Sequence, residues 1–163
     1  MKKILVSIFV SFLLMLSSNT YARESEINCY AAAIHLESRG ESTKGKEAVA
    51  QVIMNRKEHP SFPNTICKVV KQRGQFSWYN RPTLSVRNLL KGSTLHLKPL
   101  DSQAYQEARQ IAKKAFYGLP EYNPKLETSL YFVHTSVTPK QQPWLKNLRL
   151  KAKIGSHKFY SER

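Results

Sequence analysis

Acidic residues are scarce in this chain. Eleven of its 163 residues are Asp or Glu, against 26 Lys or Arg, and Asp101 is the sole aspartate. An ordinary glycosidase flanks the scissile bond with two carboxylates, so the choice of a pair is thin. Cysteine is scarcer still. Cys29 and Cys67 are the only two, and they lack the close spacing of paired ligands in a zinc finger. The chain has no H-E-x-x-H, the mark of a zinc peptidase helix, and no G-x-S-x-G, the mark of a serine-hydrolase elbow. Internal repeats, low-complexity tracts and interdomain linkers are also missing, which leaves a single domain.

The longest apolar run, Ile4 to Leu16, is too short to span a bilayer comfortably. It follows Met-Lys-Lys and precedes SSNTYA. A basic start, a short apolar core and small residues before Ala22 describe a secretory signal peptide. We expect residues 1–22 to be cleaved off, leaving Arg23 to Arg163, 141 residues, enough for a real core. An uncleaved membrane anchor is the alternative. Losing Lys2 and Lys3 and no acid lowers the net charge from +15 to +13, with 24 basic and 11 acidic residues left. That balance favours polyanions. Nucleic acid is one candidate, and an exported protein first meets anionic wall polymer or lipid headgroups. The expected location is the periplasm or cell envelope. Two cysteines in an exported chain point to a disulfide, whose loop of about 38 residues contributes about 4 kcal/mol on the chain-entropy view. A cysteine nucleophile is the alternative, although neither thiol sits in a turn that would activate it.

Apolar spacing predicts a helix over Glu26–Ser38, with Ser25 or Asn28 as cap and Gly40 as stop, so that Glu37 lies on its last turn. A second helix starts near Ser42 or Thr43, buries Ala48, Val49, Val52 and Ile53, and ends before Pro60. Asn64 caps a short third helix, Gln75–Tyr79 has strand composition, and the stretch from Asn80 to Leu100 reads as mostly irregular. Asp101 or Ser102 caps the clearest helix, which carries Tyr105, Ala108, Ile111, Ala112, Ala115 and Phe116 on one side and stops at Gly118 and Pro120. Ser129–Ser136 reads as a buried extended segment, and the tail as loop or short strand. The expected class is α+β, mainly helical, with one small sheet.

For chemistry, the stretch HLESRGES stands out. A carboxyl at a partly buried helix end keeps its proton because burial disfavours the anion. Glu37, after Ile34 and Leu36, is placed for that; a solvated glutamate paired with Arg39 or Lys44 is the plainer reading. Glu41 lies beyond the Gly40 break and is expected to anchor the turn, while Asp101 is expected to cap a helix. Zinc hydrolysis is a rival, drawing on His35, His59, His96, His134 and His157, but His35 and Glu37 fall on different sides of a helix. QFSWYNR interleaves aromatic, polar and basic residues, as a base-stacking strand, a sugar platform or a core strand would.

The ordered segments ESRGESTKGKEAVAQVIMNR and FPNTICKVVKQRGQFSW resemble the catalytic domain of the SleB family of cell wall hydrolases, which includes spore cortex-lytic enzymes. The resemblance extends loosely through LYFVHT to IGSHKFY, across the mature chain. It implies a lysozyme-like α+β domain with a small antiparallel sheet over residues 23–163. It also implies cleavage of the MurNAc–GlcNAc β-1,4 bond of peptidoglycan glycan strands by a lytic transglycosylase with one catalytic acid, Glu37. Ser38, Glu41, Gln75, Phe76, Ser77, Tyr131 and His134 match the positions lining its sugar groove. Cys29 and Cys67 resemble the cysteine pair of exported Gram-negative-type members. No metal, cofactor or nucleic acid is implied, and a monomer is expected. The alternatives are a zinc-dependent peptidoglycan amidase or peptidase, and an inactive wall-binding protein. Ser38 replaces an alanine common in the family, His35 stands where many relatives carry an aromatic, and a glycine expected before Tyr131 is missing.

Overall fold

A computed structural model describes residues 2–80, 82–94, 97–118 and 123–163, with side chains from Thr20 onward. Among the described residues, six α-helices and three strands follow one another as α1 (Lys2–Glu37), α2 (Thr43–Glu58), α3 (Ile66–Val70), α4 (Ser77–Asn80), α5 (Leu84–Leu89), α6 (Pro99–Phe116), β1 (Tyr131–His134), β2 (Leu148–Ile154) and β3 (His157–Glu162). Short 3-10 turns at Pro124–Leu126 and Pro143–Asn147 bracket β1. The strands form one antiparallel sheet in the order β1-β3-β2, as the α+β reading expects.

The core is built around the C-terminal part of α1. Ile27 to His35 are buried without interruption, so the helix is wrapped on every side instead of presenting one stripe. It packs against α6, α3, α2 and α5, and Ala31, Ala32 and Ala33 let those neighbours approach closely. Cys29 and Cys67 are joined in a disulfide that pins α1 to α3. Beside it, Glu26 accepts from the backbone N–H of Ile66 at 2.6 Å and of Cys67 at 3.2 Å, satisfying donors that a helix start leaves open.

Several local expectations are corrected. Ser25 and Asn28 lie inside α1, because no Gly or Pro interrupts helical bonding upstream of them. Thr65, not Asn64, caps α3 by accepting from Lys68 N–H. Gln75–Tyr79 is not a strand: Ser77–Asn80 winds into α4 after a turn at Gly74. Its aromatic content reports burial, which fits a helix as well as a strand. The stretch read as irregular contains α5, capped by Thr83. Lys98, not Asp101 or Ser102, is the cap residue of α6, whose helix begins at Pro99; proline is pre-set for a first helical position. The extended segment is a strand only over Tyr131–His134 and ends exposed. The tail supplies both longer strands, turning at Gly155 with φ 55°. His96 and Pro120 lie outside the described residues.

One face of α2 holds the segment that leads into β1. Gln51 and Asn123 exchange two hydrogen bonds of 3.1 Å. The Asn55 side-chain amide donates to the Leu126 and Ser129 carbonyls at 2.8 and 2.9 Å. Arg56 Nε donates to the Leu130 carbonyl at 2.6 Å. Gln51 and Asn55, four apart on the helix, share a face, and Arg56 adjoins Asn55, so Asn-Arg at the end of AVAQVIMNR serves as a clasp that orients the sheet.

Candidate active site

Glu37 is the last residue of α1. Gly40, at φ 85°, lets the chain reverse directly after it. The indole Nε1–H of Trp78, on α4, donates to Glu37 Oε1 at 2.6 Å. Burial pushes the Glu37 carboxyl above its ordinary pKa, while the Trp78 hydrogen bond and the Arg56 charge pull against that rise. The result is a carboxyl that holds its proton more firmly than an ordinary glutamate, beside two groups that favour its anion. The plainer reading fails in its particulars: Arg39 pairs with Asp101 instead.

Arg56 is 4 % exposed. Its guanidinium carbon lies 5.5 Å from the Phe62 ring centre, 5.7 Å from Phe76 and 5.9 Å from Tyr131, a cage in which ring faces attract the cation. Burial lowers its pKa to about 10, which still leaves it charged at neutral pH. Its Nη1 is buried with no hydrogen-bond partner. Phe76 packs 5.5 Å from Trp78, so Glu37, Trp78, Phe76, Arg56 and Tyr131 form one continuous set of contacts.

A second cluster forms at the β2–β3 turn. The Glu41 carboxylate accepts from Ser156 N–H at 3.1 and 3.2 Å and lies 3.8 Å from His157 Nδ1. Hydrogen bonding from Ser156 holds its pKa below the ordinary carboxylate range, against desolvation, and His157 and His134 add to the lowering. Burial pushes His157 below the usual histidine value. His134 is exposed, with Nδ1 2.7 Å from Ser136 Oγ and its ring 6.5 Å from that of His157. Glu41 thus anchors a turn through a backbone N–H, as expected, but the turn is 115 residues away.

The sequence candidates therefore divide. Tyr131 joins the Glu37 set and His134 the Glu41 set. Phe76 is 1 % exposed and belongs to the core beneath the site. Ser38 is 1 % exposed and its hydroxyl donates to the Ile34 carbonyl, closing the helix end. Gln75 is half-buried and Ser77 exposed at the start of α4. Trp78 and Arg56 were missed as site residues; both lie within quoted motifs, yet nothing in the spacing reveals which side chain reaches Glu37. Among the described residues, no three His, Cys, Asp or Glu side chains gather where a metal ion could be held. A cavity of about 370 Å³ between α2 and α6, lined in part by Tyr30, Met54 and Ile111, contains none of these candidates.

Known proteins are similar to this chain in sequence and in fold. A spore cortex-lytic enzyme of Bacillus cereus is 30% identical over 137 residues, 83% of this chain and 44% of its own length. One from Bacillus subtilis is 26% identical over 136 residues, 83% of this chain and 37% of its own. The chain thus spans about two fifths of these curated relatives. The crystal structure of the catalytic domain of Bacillus cereus SleB superposes with a TM-score of 0.59 at 28% identity, covering 84% of this chain and 90% of that one. The catalytic domain of the germination-specific lytic transglycosylase SleB from Bacillus anthracis gives 0.58 at 29%, covering 84% and 94%. The sequence profile described as Cell Wall Hydrolase matches residues 40–160, from the turn after Glu37 into the last strand. On that match, which takes in both the α2 clasp and the Glu41 anchor, the chain belongs to the cell wall hydrolase family.

Proposed function

We propose that the protein cleaves the MurNAc–GlcNAc β-1,4 bond of peptidoglycan glycan strands, as a lytic transglycosylase with Glu37 as its single acid and base. The observation that carries this reading is the setting of Glu37: a carboxyl whose pKa is raised by burial, bonded through Oε1 to the Trp78 N–H. With Oε1 accepting, Oε2 carries the proton. That proton passes to the glycosidic oxygen as the C1–O bond breaks. The carboxylate left behind is stabilised by the Trp78 N–H and the buried Arg56 charge. It then takes the proton of the MurNAc 6-hydroxyl as that oxygen bonds to C1, giving a 1,6-anhydro product. Glu37 ends protonated and no water is consumed.

A two-carboxylate mechanism would need a partner acid. Glu41 is tied to Ser156 and Asp101 to Arg39, which favours attack by the sugar's own hydroxyl. The spore cortex-lytic and lytic transglycosylase descriptions of the relatives support the same substrate. Export fits a cell wall substrate. Thr20 to Arg23 are exposed and continuous burial starts at Ile27, so cleavage after Ala22 leaves the domain whole. The +13 charge draws the mature protein, acting as a monomer in the periplasm or envelope, toward anionic wall or membrane.

Mass spectrometry of products from purified sacculi tests the reading. Anhydro-muropeptides are expected, and Glu37→Gln should release none while keeping the fold. Reducing ends would indicate hydrolysis, and free stem peptides an amidase. Chelation should leave the rate unchanged; loss restored by zinc would move the reaction to the metal-dependent class.

A further inference from the structure

The chain has two tryptophans. Trp78 holds Glu37. Trp144 sits at the other end of the same run of contacts, packed 5.9 Å from Tyr131 at an interplanar angle of 56°. It lies on the 3-10 turn Pro143–Asn147, fixed by the buried Leu145. Trp144 itself is 42 % exposed. Its Nε1–H already donates to Gln142 Oε1 at 2.8 Å, so the indole needs no deeper burial to satisfy its polar atom.

An oriented aromatic face, open to solvent and ringed by polar groups, fits the C–H face of a pyranose, whose hydrogens meet the electron-rich ring. Gln141 and Gln142 are exposed beside it and supply amide partners for hydroxyl and N-acetyl groups. We propose that Trp144, backed by Tyr131, is a platform on which a sugar ring of the glycan strand stacks away from the cleaved bond. The proposal rests on the glycan-cleaving reading above and assigns that site an outer sugar-binding position.

The test uses the mature protein in a Glu37→Gln background, which separates binding from turnover. Binding is read by co-sedimentation with purified sacculi and by tryptophan fluorescence on titration with soluble chitooligosaccharide. Trp144→Ala should weaken both about tenfold, and Trp144→Phe should recover most of the loss. In the active enzyme Trp144→Ala should raise KM about tenfold with kcat within about twofold, and the melting temperature should not move. Unchanged binding by Trp144→Ala overturns the platform. So does a loss confined to sacculi and erased by salt, which would assign the side chain to an anionic wall component. Failure of the wild type to release any glycan product instead sinks the glycosidase reading, and the oligosaccharide titration still decides the fate of Trp144.

Discussion

Trp78 and Glu37 are 41 residues apart in sequence and meet through a 2.6 Å hydrogen bond from indole Nε1–H to carboxylate Oε1. The bond favours the anion and opposes the burial that raises the Glu37 pKa. The two influences together decide how firmly the acid keeps its proton and how readily it gives it up.

Trp78→Phe keeps the ring and removes the donor. In its proposed role as acid Glu37 must be protonated, so activity should fall as pH rises through its pKa. Without the N–H that pKa rises further, and the alkaline limb of the pH–rate profile should move to higher pH. Loss of a hydrogen bond to a charged group should also lower kcat about tenfold or more. A limb displaced toward acid would contradict this account.

The same burial links Glu37 to stability. Its folded-state pKa lies above the unfolded one, so its contribution is fully present below the unfolded value and is lost as pH rises through the folded value. Glu37→Gln removes the penalty of an ionised buried carboxylate. The variant should melt higher than the wild type at neutral pH, with the gap closing in acid. Equal differences at both pH values in paired thermal melts would remove the linkage.

Glu41 runs the opposite way. Its pKa is lowered by Ser156, against desolvation, with help from His157 and His134, so its stabilisation is present above the unfolded carboxylate value and lost as pH falls. Glu41→Gln should destabilise the fold near neutral pH, by about 1–3 kcal/mol, and much less in acid. Gly155 reports on the same contact. A Cβ there would fall 1.8 Å from Glu41 Oε2, at a φ of 55°. Gly155→Ala should therefore destabilise as well, and denaturant melts of the two single variants and the double should be less than additive.

Much of the fold was legible because strong local signals agreed with tertiary need. Ser42 caps α2 as its side chain suggests, and Ala48, Val49, Val52 and Ile53 are all buried. Glu37 could be placed at a helix end because Gly40 stops the run. What was hidden depends on distance. The α4 turn brings Trp78 to an acid 41 residues earlier, and the tail forms strands because β3 finds β1 and β2 on either side. Such pairings leave little trace in local periodicity, and the aromatic content of QFSWY reports burial without specifying the backbone.

The Cys29–Cys67 bridge closes a separation of 38 residues. Its reduction should cost about 4 kcal/mol if the gain lies in restricting the unfolded chain. Calorimetry with and without reductant should show a clearly lower midpoint, matched by a Cys29→Ala, Cys67→Ala double variant. An unmoved midpoint would mean that Glu26 and core packing hold α1 to α3 unaided.

The grip of Gln51, Asn55 and Arg56 on residues 123–130 spans 71 to 74 positions of chain. Bringing such distant segments together carries a closure entropy on the order of 4 kcal/mol, which the clasp helps to offset, while the register of β1 itself is fixed by its pairing with β3. A chain truncated before Asn123 would retain those amide and guanidinium donors with no backbone to hold.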